Sequence, residues 1–160
     1  MRPDLRRPAR RFDSPQQEAY LAIWRTYDRL SALEDELFSS FDLSAQQYNL
    51  LRLLEARHPE AAPTLSLVDR LVSRAPDVTR MIDRLEQRGL ILRSRSKEDR
   101  RLVLVGITEA GLTLLKDIAG PLRECHRKQL GHLEPDELKA LVDLLRKARA
   151  PHEPEESPWK

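Results

Sequence analysis

One cysteine, Cys125, stands in a chain of 160 residues, so no disulfide within the chain can staple the fold. His58, His126, His132 and His152 are scattered without metal-ligand spacing, and no HExxH or cysteine pair accompanies them; no metal is expected. No apolar run approaches the roughly 20 residues a bilayer span needs, and the basic N-terminus lacks the apolar segment of a secretory signal. No membrane contact and cytoplasmic residence are therefore the expectation. Glycine-rich phosphate loops, paired carboxylates and nucleophile arrangements are all missing, which makes an enzyme the weakest class and leaves no cofactor to expect. Net charge is scarce as well: 28 basic against 26 acidic residues leave a formal +2, too little by itself to speak for a nucleic-acid partner.

The distribution of charge says more than its sum. From Arg70 to Arg101 ten basic residues face five acidic ones, and Arg2 to Arg11 contains five arginines against Asp4 alone. Phosphate responds to such local fields. With 40% hydrophobic and 34% charged residues, the chain suits one core with a wet surface. Residues 1–13 read as a flexible basic arm, 14–150 as a single domain, and 151–160, with its PHEPEESP run, as a flexible tail.

Helix signals punctuate the domain. Ser14, Pro15 and Gln17 form an N-cap, a first-turn proline and a capping-box partner. Leu21, Trp24, Tyr27, Leu30, Leu33, Leu37 and Phe38 then recur at helical spacing, predicting a helix over about 14–40. Ser44-Ala-Gln-Gln47 opens a second helix, carried by Tyr48, Leu51 and Leu54 until Pro59 and Pro63 interrupt. Thr64 is expected to cap a short helix through Leu67, Val68 and Leu71, and Ser73-Arg-Ala75 to turn into another helix with Pro76 in its first turn. Gly89 suits that helix's C-terminus. Ile91 to Arg93 and Leu102 to Ile107 are strand candidates joined by a long charged loop. Thr108 opens a long helix in which Pro121 predicts a kink or a break. A last helix starts near Pro135-Asp-Glu137 with Leu138, Leu141, Leu144 and Leu145 as its stripe. The outer helices carry more apolar face than a small central domain covers, and a second copy would bury the excess.

Thr64 to Thr108 is thus a helical pair followed by a basic hairpin, the arrangement that sets one element in a DNA major groove and another beside it. Val78, Ile82 and Leu85 mark the inner face of the second helix. Arg80 and Arg84, four residues apart, share an outer side, where an arginine fork suits guanine O6 and N7 or a phosphate. The alternative for either is an ion pair with Asp77, Asp83 or the acidic neighbours of Arg88. Thr79 is small enough to approach a thymine methyl or a phosphate, and Ser73 and Arg74 precede the helix, where phosphate positioning is expected. Arg95, Lys97, Arg100 and Arg101 lie in the hairpin and suit a minor groove, although a charged hairpin tip is also an ordinary solvated loop. Cys125 reads as a packing residue rather than a redox sensor.

The stretch Val78-Thr-Arg-Met-Ile-Asp-Arg-Leu-Glu-Gln-Arg-Gly-Leu90, then Arg93, Asp99-Arg100-Arg101, Ile107-Thr108-Glu-Ala-Gly111 and Leu114-Leu115, resembles the winged helix-turn-helix regulators of the multiple-antibiotic-resistance (MarR) type. The likeness reaches back through Leu43-Ser-Ala-Gln-Gln47 and Leu50-Leu51. It implies a mainly α (α+β) fold: a winged domain over about 44–108, with dimerisation helices over about 14–40 and 109–149. It also implies a homodimer that binds inverted repeats in double-stranded DNA, often as a repressor, and that releases DNA when a small aromatic effector binds between the dimer and reading regions. Trp24, Tyr27 and Tyr48 offer aromatic surface near such a cleft, and helix packing explains them too. By the same resemblance Asp99 pairs with Arg101 or holds the wing loop in shape. The recognition helix departs from the family's pattern by beginning Ala75-Pro76-Asp77, and Asp77 could accept from a cytosine amino group. The competing reading is a helical interaction module that uses its winged domain against protein, without specific DNA binding.

Overall fold

In a computed structural model, residues 12–73 and 77–159 are described. The element order is α1 (Pro15–Ser40), α2 (Ala45–Glu55), β1 (Ala62–Pro63), α3 (Thr64–Val68), α4 (Val78–Gln87), β2 (Ile91–Arg95), β3 (Val103–Ile107), α5 (Glu109–Leu130) and α6 (Pro135–Arg149), followed by a 3-10 turn at Ala150–His152. The arm's residues 1–11 lie outside the described residues, as do Arg74, Ala75 and Pro76.

Local chemistry sets most helix starts. Ser14 accepts the Gln17 backbone N–H at 3.1 Å, but the Gln17 side chain reaches the Asp13 N–H, one residue before the expected partner. Ser44 and Gln47 complete a reciprocal capping box, satisfying two donors that the first turn of α2 would otherwise leave open. Thr108 caps α5 by accepting from Gly111, and donates its own hydroxyl to Gly89 O at 2.7 Å. Two expectations shift by a few residues. Thr64 is the first residue of α3 rather than its cap, and Leu71 falls after the helix has ended at Val68. Asp77 caps α4, so Pro76 precedes the cap instead of occupying the first turn.

Pro121 does not break α5, which runs unbroken for 22 residues. An interior proline costs about 3 kcal/mol through its missing N–H and ring clash; Ile118, Leu122 and Cys125, all buried beside it, hold the helix against the core. The segment after Arg149, expected to be a flexible tail, folds back on itself. Arg149 donates to Trp159 O and pairs with Glu153, which accepts from Ser157 Oγ.

Phe38, Leu50, Leu51, Leu54, Leu67, Ile82, Leu85, Ile91, Val105 and Ile118 form the buried centre, drawn from α1 to α5 and from β2 and β3. Each such side chain contributes about 1.5–3 kcal/mol on leaving water. The sheet has the order β1-β3-β2, antiparallel throughout, with Ile91 opposite Ile107 and Arg93 opposite Val105. That register turns Ile91, Arg93, Val105 and Ile107 to the face that α4 covers. α6 buries none of its residues, and Tyr20, Ile23, Trp24 and Tyr27 of α1 are exposed.

Gly111 is where α5 leaves the wing base: an added Cβ would lie 2.4 Å from Leu90 O and 2.6 Å from Ile107 Cγ1. Gly111→Ala is expected to lower the unfolding free energy by about 1–3 kcal/mol in urea titrations. Gly120→Ala, a change into open space on the same helix, is expected to raise it by up to about 1 kcal/mol.

Candidate nucleic-acid interface

α4 is sharply two-sided. Met81, Ile82 and Leu85 are buried, and Thr79, Arg80 and Arg84 are exposed on the other side. Asp77 Oδ1 accepts the Arg80 N–H at 2.9 Å, while Asp77 Oδ2 lies 3.2 Å from Arg80 Nε. The carboxylate expected to meet a cytosine is therefore already engaged by the helix it caps. Arg84 stands between two clefts, both lined by Ser44 and Gln47 from the start of α2; one reaches Asp77 and Arg80, the other Asp42 and Arg88. The approach to α4 is held from below. Asn49 Oδ1 on α2 accepts the Val72 N–H at 3.0 Å, and the Gln46 amide donates to Ser73 Oγ at 3.5 Å. Ser73 thus sits at the turn as expected, and Arg74 lies outside the described residues.

The wing is shaped by its own polar groups. Ser96 Oγ accepts from the Glu98 and Asp99 N–H groups, and the Ser96 N–H donates to Leu102 O. Asp99 Oδ1 accepts the Arg101 backbone N–H at 2.9 Å, so Asp99 holds the loop through the main chain of Arg101, not its guanidinium. Lys97, Arg100 and Arg101 are exposed, and Arg95 donates to Arg100 O at 3.4 Å. Arg101 meets Thr79 of α4 across a cavity of about 290 Å³ whose walls also include Leu65 and Arg93. Hairpin and helix therefore border one surface.

Two contacts that hold this surface together went unnoticed in the sequence. Arg93 on β2 reaches Asp83 at 2.7 Å through Nη1 and Glu86 at 2.5 Å through Nη2, both acids lying on α4. Its backbone N–H also donates to Glu86 at 3.2 Å. The signal was present: two acids one turn apart, a glycine turn, and an arginine on the strand face shared with Ile91. Arg88, after α4, donates to Asp42 O and to Phe41 O, tying α4 to the corner between α1 and α2, where Asp42 has φ 53°.

The expected effector residues do not gather within one chain. Tyr48 stacks on Phe38 with ring centroids 4.7 Å apart, whereas Tyr27 lies eleven residues before Phe38, about 16 Å along the helix. Trp24 and Tyr27 face outward from α1. Burial pushes the Tyr48 hydroxyl pKa up, Arg52 opposing and Glu55 and Glu34 adding to it. Cys125 is buried, and burial followed by the charge of Glu34 raises its thiol pKa against the pull of Lys128, the reverse of a reactive sensor. Among the described residues no group of three or more His, Cys, Asp or Glu is placed to hold a metal, and no helix is long and apolar enough to cross a membrane.

The side-chain hydrogen bonds from Arg93 hold the Glu86 carboxyl below its ordinary value of 4.5. The contact is therefore present above that value and is lost as pH falls through the lowered one. Amide exchange in β2 is expected to lose protection as pH drops below 4.5. Glu86→Gln is expected to show the weakened protection already at neutral pH, with most of the acid dependence gone.

The model of the MarR family matches residues 43–103. The regulator PecS of Dickeya dadantii is 31% identical over 112 residues, which cover 69% of this chain and 68% of PecS. A MarR transcription factor from Planctomyces limnophilus superposes with a TM-score of 0.68 at 61% identity, over 84% of this chain and 98% of that one. BpsR of Bordetella bronchiseptica, whose DNA binding is regulated by 6-hydroxynicotinic acid, is 29% identical with a TM-score of 0.71, over 82% and 98% of the two chains. With a two-sided recognition helix, a charged wing and relatives of this kind, the chain belongs to the MarR family of winged helix-turn-helix regulators, DNA-binding transcriptional regulators that work as homodimers.

Proposed function

We propose that the protein is a sequence-specific repressor whose homodimer reads an inverted repeat in double-stranded DNA and lets go when a small aromatic molecule binds. The observation that carries the reading is the exposed side of α4, where Thr79, Arg80 and Arg84 stand clear of the buried Met81, Ile82 and Leu85, beside a wing rich in arginine. A ten-residue helix with one buried face suits insertion into a major groove, with residues near its N-terminus at the base edges. Ser73 and Arg74 then meet phosphates, and Lys97, Arg100, Arg101 and Arg95 approach the adjacent minor groove.

Dimerisation is supported by the exposed Tyr20, Ile23, Trp24 and Tyr27 on α1 and by Val142, Leu144 and Leu145 on α6, a helix with no buried residue of its own. Pairing through these faces sets two reading heads at one separation, about 34 Å or a multiple of it for successive grooves on one side of the duplex. Occupancy of a promoter then blocks polymerase. An effector acts by favouring a different separation, and an aromatic one is supported by the behaviour of BpsR. Trp24 and Tyr27, exposed on α1, and Tyr48, stacked on Phe38, are the aromatic side chains such a ligand would use.

Selection of duplexes from a random pool is expected to enrich an inverted repeat, with affinity falling steeply as salt rises. Arg80→Ala should weaken binding to that repeat by about 1–3 kcal/mol, read by fluorescence anisotropy. Arg84→Ala should weaken it as well. Unchanged affinity in both variants would favour the protein-interaction reading.

A further inference from the structure

Asp77 does two jobs with one carboxylate. Oδ1 takes the Arg80 backbone N–H at 2.9 Å and Oδ2 lies 3.2 Å from Arg80 Nε. Because the first contact is the helix cap, it fixes where the second oxygen points. Nε is the inner corner of the guanidinium, and engaging it leaves the outer edge, Nη1 and Nη2, facing away from the carboxylate. Among the described residues the Arg80 side chain has no other hydrogen-bond or ion-pair partner. Guanine offers two acceptors, O6 and N7, at the spacing of that outer edge.

Stability does not explain the choice of aspartate. The pair is open to solvent, with side-chain exposures of 71% for Arg80 and 48% for Asp77, and exposed ion pairs contribute little to folding. Serine or asparagine would cap α4 as well, and neither would bring a negative charge to a surface that meets phosphate.

We propose that Asp77 is a positioning residue for base reading. It orients Arg80 so that the guanidinium's outer edge meets a guanine in each half-site, and its charge weakens attachment to duplexes of the wrong sequence. The proposal rests on α4 entering the major groove. A long side chain ordered before contact loses less freedom on binding, so the gain falls on the matched site alone. The charge penalty falls on every site.

The test uses the full chain and duplexes selected by it from a random pool, with each position of the half-site then varied. Asp77→Ser keeps the cap and removes the partner of Nε; Asp77→Asn keeps the cap and replaces the charge by an amide. Both are expected to melt close to the wild type. In both, preference for guanine over adenine at the position read by Arg80 should fall about three- to tenfold, and affinity for a scrambled duplex at low salt should rise about two- to threefold. A loss of helix structure would weaken both duplexes alike and would not move them in opposite directions. If Arg80→Ala erases a guanine preference that both Asp77 variants keep in full, the role of Asp77 is overturned while the DNA-binding reading stands. If Arg80→Ala changes neither affinity nor base preference, the reading of α4 falls, and this proposal with it.

Discussion

Met81, Ile82 and Leu85 occupy one side of α4, and a helix of ten residues has a single opposite side left to offer. Burying those three in the core beside β2 decides the direction of Thr79, Arg80 and Arg84. The same burial brings the helix onto Ile91 and Val105, so the hairpin starts from the floor on which α4 rests. A functional surface made of exposed arginines thus depends on apolar contacts that it does not include.

Apolar burial sets direction but leaves small angular freedom, and polar ties remove it. Arg93 joins the wing strand to Asp83 and Glu86 of α4, Arg88 joins the far end of α4 to Phe41 and Asp42, and Asn49 steadies the chain at Val72. Each tie crosses between elements that are separate in sequence. Together they join helix, wing and the corner between α1 and α2 through side-chain contacts.

Periodicity and caps were strong signals wherever the physics is local. Ser14, Ser44 and Thr108 cap the helices they were expected to open, and the stripes of α2 and α5 are buried where their spacing implies, whereas α1 buries only Phe38 of its stripe. Errors cluster where a neighbour outweighs a local preference. Pro121 is a helix breaker by chemistry, yet Ile118 and Leu122 bind α5 to the core on either side of it. Thr64 is a natural cap, but strand pairing of Ala62 and Pro63 with β3 starts the helix one residue early. Trp24 and Tyr27 lie on the exposed part of α1, while Tyr48 of α2 stacks on Phe38 nearer its other end, a distance that spacing alone does not show.

Composition and spacing alone determined the class of the molecule: the caps, the apolar stripes, the glycine at the end of α4 and the basic hairpin are all short-range features, and short-range features survive in a linear reading. Which arginine stays open to solvent and which braces the fold was decided only by tertiary structure. Arg80, Arg84, Arg88 and Arg93 are chemically alike along the chain. They differ because Arg93 lies across from two acids, Arg88 lies under the α1–α2 corner, Arg80 shares a carboxylate with its own helix cap, and Arg84 faces a cleft. A charged side chain takes its role from the nearest opposite charge, and that distance exists only once the chain has folded.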